Sequence, residues 1–180
     1  MKFTQPAIRL TVLITLALLG LPVAAAQEAP PEVPSAIQLP AGEKVVLSVH
    51  ASGSQIYTCQ TGAEGKFAWA LKAPDARLMD RSGKVIGSHF AGPTWKLKDG
   101  SEVTGKAAAH ADSPEPDSVA WLLVNVVSHS GSGLLTPVNM IQRVHTHGGK
   151  PPAQGCDQAH PNAETKSSYT AEYYFYAPSK

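Results

Sequence analysis

From Lys44 to the end of the chain, short runs with a large apolar side chain at every second position alternate with turns rich in glycine, proline and aspartate. No stretch beyond Lys44 carries apolar residues at helical spacing over several turns. This pattern constrains the fold more than any other feature of the sequence. Period-two alternation makes half-buried strands, and strands recurring at short spacing without helices between them pair antiparallel. The expected fold is all-β: an antiparallel β-sandwich or barrel-like single domain with long loops and one disulfide.

In Lys44 to His50, Val45, Leu47 and Val49 share one face. Ala51, Ser52 and Gly53 read as a turn and Gln55 to Gln60 as a returning strand, so an N-terminal hairpin is expected. Gln55, Tyr57 and Cys59 share one face of that second arm. Phe67 to Leu71 follows, and Ala73, Pro74 and Asp75 read as a turn. Further turns are expected at Asp80 to Gly83, at Gly92 and Pro93, and at Asp99 and Gly100. Val119 to Val127 is apolar on both faces, which fits a strand covered on both sides or a short buried helix; its valines favour the strand. Met140 to His147 alternates again, and Tyr169 to Tyr176 is aromatic on both faces.

Ahead of these runs lie a basic n-region (Lys2, Arg9), an apolar run from Leu10 to Leu21, and Ala24 to Ala26 as an A-x-A cleavage signal. Residues 1–26 therefore read as a signal peptide cleaved near Ala26, which makes the chain periplasmic or secreted. No apolar run is long enough for a membrane anchor, which needs ~20 residues. Residues 27–40 are rich in proline and read as a flexible leader; residues 41–178 form the single β domain. Cleavage removes Lys2 and Arg9 and no acid, leaving 13 basic residues against 14 acidic ones. A near-neutral chain without a basic stripe argues against nucleic acid as a partner. In an oxidising compartment the two cysteines, Cys59 and Cys156, most simply form one disulfide, with two free thiols as the poorer alternative.

Candidate chemistry rests on the seven histidines and three tryptophans. In the stretch His89 to Trp95, a turn at Gly92 and Pro93 presents His89 and Trp95 from neighbouring positions. His89, Thr94 and Trp95 are thus the candidate ligand-binding residues, an exposed indole offering a flat apolar face and the imidazole titrating near neutrality. The competing reading is a core tryptophan behind a rigid turn. His145 and His147 project from one strand face and are the candidate metal ligands, for a possible divalent cation; the competing reading is a frayed strand end with both rings in solvent. Two histidines supply only part of a zinc ligand set. No complete catalytic set is recognisable: Ser128 to Gly133 lacks the G-x-S-x-G elbow, and the acids Asp112, Glu115 and Asp117 sit on a proline-rich loop.

Several stretches together resemble a family of secreted bacterial and fungal proteins catalogued as domain of unknown function 3455. They are Gly53 to Cys59, Phe67 to Leu71, Gly87 to Trp95, Asp99 to Ser101, Trp121 to Leu123, Ile141 to Arg143, Thr146 to Gly149, Gly155 to Asp157 and Tyr173 to Tyr176. The resemblance implies one domain over nearly the whole mature chain and transfers no activity. The favoured function is a non-catalytic binding or structural module of the cell envelope or exterior, without a required cofactor. Its partner would be a small molecule, a glycan or an envelope protein. The alternative is a small metal-dependent or acid/base enzyme using His89 or the His145/His147 pair.

Overall fold

The structure is a computed structural model and describes Met1 and residues 28–179. The expected signal peptide lies outside the described residues, apart from Met1. Among the described residues eight strands follow one another: β1 (Glu43–Thr61), β2 (Phe67–Met79), β3 (Val85–Phe90), β4 (Thr94–Leu97), β5 (Glu102–Ala111), β6 (Trp121–Ser130), β7 (Met140–Gly148) and β8 (Glu164–Pro178). Each pairs antiparallel with the next, and β8 returns to pair antiparallel with β1. The sheet is therefore a closed barrel. An even number of up-and-down strands lets the last meet the first antiparallel, and closure pairs each strand on both sides over part of its length, with β2 left unpaired toward β3 from Phe67 to Asp75. Among the described residues, no helix is long and apolar enough to cross a membrane.

The expected N-terminal hairpin is corrected: Glu43–Thr61 is one continuous strand. Ala51, Ser52 and Gly53 stay paired on both sides, to Leu78, Arg77 and Ala76 of β2 and to Ala171, Thr170 and Tyr169 of β8. Gly53 is needed for approach, not for turning. A Cβ at this position would run into the Asp75 carbonyl and Ala76 of the neighbouring strand. The turn expected at Ala73 to Asp75 is likewise absent, because β2 runs straight through Pro74. Pairing with β3 begins only at Ala76, and the β1–β2 register slips beside Ile56, so Pro74 occupies an edge position next to a bulge. The turns at Asp80 to Gly83, at Gly92 and Pro93, and at Asp99 and Gly100 do connect successive strands.

Alternation sorts each strand into a lumen face and an outer face. On β6, Leu122 and Val124 turn inward while Trp121 and Leu123 face out. Residues 28–40, expected as a flexible leader, instead lie against part of the outer face, over β5 to β8. A one-turn 3-10 helix, Ser35–Ile37, buries Ile37 completely against Trp121, Leu123 and Val144. Gln142 Nε2–H donates to the Ile37 carbonyl at 2.7 Å, and its Oε1 accepts from the Tyr176 hydroxyl at 2.6 Å. This strap is why β6 and β8 are apolar or aromatic on both faces: one side meets the lumen and the other meets the leader.

One half of the lumen is tightly packed. Leu78, Leu97, Val103, Ile141 and Phe175 fill it, joined by Leu135 and Val138 from the β6–β7 connection, which folds in as a plug. Asp99 Oδ2 fixes the plug by accepting from the Leu134 N–H at 2.8 Å. At the other end Cys59 and Cys156 form the disulfide. Beside it the Tyr57 hydroxyl donates to the Gly149 carbonyl at 2.7 Å, and Trp69 Nε1–H to the Gln154 carbonyl at 3.2 Å. A bridge closing a loop of 97 residues stabilises the fold by up to about 4.7 kcal/mol in the chain-entropy account.

Candidate functional site

One short turn sets the centre of the site. The turn at Gly92 and Pro93 folds β3 onto β4 so that His89 pairs directly with Trp95. Both side chains point into the barrel, since Gly87 and Leu97, two residues away on each strand, share the inward register. Of the two sequence readings the exposed surface is not formed and the core tryptophan behind a turn is: His89 is 3% exposed and Trp95 1%. The rings stack with centroids 4.3 Å apart and 12° between planes, and Tyr173 of β8 meets both edge-on, at 5.2 and 5.6 Å. Gly105 of β5 makes room for the indole; a Cβ there would collide with Val124 and approach the Trp95 ring to 3.0 Å.

Thr94 is buried as well, and its part is to orient the imidazole. His89 Nδ1–H donates to the Thr94 carbonyl at 2.9 Å, which leaves Nε2 as the lone-pair acceptor. Burial lowers the His89 pKa to about 4, and the positive Arg143 pushes in the same direction. The imidazole is neutral at physiological pH.

Beside this stack the lumen is unfilled. A cavity of about 180 Å³ lies among His89, Trp95, Gln55, Tyr173 and Arg143, walled on the apolar side by Leu122 and Val124. Exposed Leu71, Pro93 and Ala107 form its rim. Two of its polar side chains are buried with a donor unused: Gln55, 1% exposed, has no acceptor for Nε2, and Trp95 has none for Nε1. Most buried polar groups in folded proteins are paired, so two idle donors around one cavity mark a place where something else supplies the acceptor. Arg143 is the single charged residue on the lining. Its Nε–H and one Nη2–H donate to the Ala120 carbonyl at 3.1 and 2.7 Å, and none of the ion pairs among the described residues engages it.

The His145/His147 pair has a different setting. The β7–β8 register breaks between Val144 and His147, and His145 sits at φ 48°, the left-handed region, as a bulged residue. Both rings are exposed, and each engages its own carboxylate: His145 Nδ1 lies 2.8 Å from Glu172, and His147 Nδ1 2.7 Å from Glu115. No group of three or more His, Cys, Asp or Glu side chains that could hold a metal ion occurs among the described residues. In a wider depression on the outer surface between Ser48, Asp80 and Arg81, Glu28 bridges Ser48 and Arg81.

Residues 40–177 match the family described as a protein of unknown function (DUF3455). The chain belongs to that family. The match covers the barrel up to the last residue but one of β8's range, together with the end of the leader, so the cavity lies within the DUF3455 domain. No curated protein and no solved structure matches the chain. The family description carries no activity, and the site must be interpreted from its own geometry.

Gln55, Tyr173 and Arg143 are the site residues that sequence reasoning missed. Their signal was present. Gln55 shares a strand face with Tyr57 and Cys59, and Arg143 follows Ile141 by two positions, so each is a polar side chain on a buried register.

Proposed function

We propose that this chain is an exported, non-catalytic binding module of the cell envelope or exterior, and that it takes a small molecule into the barrel lumen. The observation that carries the reading is the 180 Å³ cavity where buried Gln55 and Trp95 keep N–H donors without acceptors. An eight-stranded barrel encloses a space that side chains can just fill or that one small ligand can occupy. Here packing fills one half and stops at the other. The lining brings one imidazole and no carboxylate, so it assembles no acid–base pair. A histidine held near 4 is also a poor general base at neutral pH. Glycans and proteins are too large for the space, which favours the small molecule among the three partner classes.

Titration of the disulfide-bonded protein with a panel of fragment-sized compounds, followed by NMR of the indole N–H groups, tests the reading. Binders should shift the Trp95 indole resonance and leave Trp69, whose indole N–H is held by the Gln154 carbonyl beside the disulfide, unmoved. Binders that shift only groups on the outer face, such as the His145 and His147 rings, would place the function elsewhere and sink the lumen site.

A further inference from the structure

We infer that the lumen site takes a small monocarboxylate with an apolar body of about benzoate size, its head group on Arg143. The inference rests on the lumen being a binding site and names what it binds. Arginine carries five N–H donors in a rigid fork. Two of those on Arg143 hold the Ala120 carbonyl, which fixes the guanidinium against the β6 entry and leaves the Nη1–Nη2 edge uncommitted. That edge matches a carboxylate bidentately. Buried Gln55 Nε2–H and Trp95 Nε1–H add two neutral donors to the same lining. The unused donors of Gln55, Trp95 and Arg143 face the single lone pair of His89 Nε2, so a partner that brings acceptors fits them, and a half-buried cation with no counterion among the described residues asks for one negative charge. A dianion such as phosphate would leave a second charge uncompensated, since the lining holds one cation.

The body of the ligand follows from the walls and the volume. Leu122 and Val124 are apolar, and Trp95 and Tyr173 present aromatic rings. An engineered cavity of about 150 Å³ admits benzene, so about 180 Å³ holds a ring or a chain of about six carbons with a head group. Sugars of similar size need many acceptors and donors spread over the whole surface, which these walls do not provide.

The experiment compares sodium benzoate with its neutral isostere benzyl alcohol on the disulfide-bonded protein at neutral pH, by calorimetry and by the Trp95 indole resonance. Benzoate should bind at least about tenfold more tightly than benzyl alcohol, the size of a charge-assisted hydrogen-bond preference. Arg143→Met should abolish the difference while benzyl alcohol still moves the Trp95 signal. Equal binding of the two by the wild-type protein overturns the carboxylate inference and leaves the lumen reading standing. Failure of both to move the Trp95 signal overturns the inference and the lumen reading together. Because the comparison is made on the wild-type protein, it decides even if Arg143→Met does not fold; Gln55→Leu then serves as the second variant, with benzoate weakened and benzyl alcohol unaffected.

Discussion

The two halves of the lumen are built from the same strands and the same alternation, yet they end differently. In the packed half, Phe175, Leu78, Leu97 and Ile141 pack with Leu135 and Val138 from the plug, and none of the unpartnered buried polar atoms among the described residues lies on these side chains. In the open half, the inward positions are taken by Ala107 and Pro74, too small to fill the width, and by Gln55, His89, Arg143 and Tyr173, which keep polar atoms in the barrel. Stability is supplied by the first half, while the second carries a cost that a structural role alone does not explain. Natural proteins retain such local inconsistencies chiefly where they bind or react.

Substitutions that treat the halves alike should produce unlike results. The largest effect is expected for Phe175→Ala, which opens a cavity in the packed half and should cost about 3–5 kcal/mol in urea unfolding. A loss below about 1 kcal/mol would mean that the packed half is as loose as the open one, and the comparison would break. Next comes acid. Because the folded His89 pKa lies near 4, below the unfolded value of 6.5, the unfolded chain takes up the proton first as pH falls. The contribution of His89 is fully present above pH 6.5 and disappears between 6.5 and about 4, a loss of about 3 kcal/mol. Stability measured across that window should fall in the wild-type protein and stay flatter in His89→Gln; parallel curves would show that the imidazole is not held neutral. The smallest effect is expected for Gln55→Leu, which removes a buried donor lacking a partner. Its stability should lie within about 1 kcal/mol of wild type, on the stabilising side. A large loss would show that the amide is a structural member of the core and not a site residue.

Much of the barrel was legible one strand at a time. The turns at Asp80 to Gly83 and at Asp99 and Gly100, the alternation of β7, and the strand assignment of Val119 to Val127 all rest on local chemistry, which neighbouring residues set among themselves. The two misread turns have one cause. Gly53 and Pro74 both carry turn signals, and each instead serves a neighbouring strand, Gly53 by admitting β2 and Pro74 by marking where β2 is still an edge. The residue type told of a special need for backbone room or a missing donor; only the partner strand decided which need it was.

What the sequence determined by itself was the all-β class, the pairing of the only two cysteines in the chain, and the adjacency of His89 and Trp95 across a tight turn. Each follows from covalent proximity, alternation or the count of thiols. The tertiary structure decided the rest: that eight strands close on themselves, that the leader lies down on the outer face, and that the His89–Trp95 hairpin faces in. A hairpin has two faces of nearly equal local energy, and burial chooses between them only when distant strands arrive to cover one. Arg143 and Tyr173 pair across the neighbouring strands β7 and β8, but Gln55 of β1, His89 and Trp95 reach them only when the ring closes. Closure of the ring brings them together.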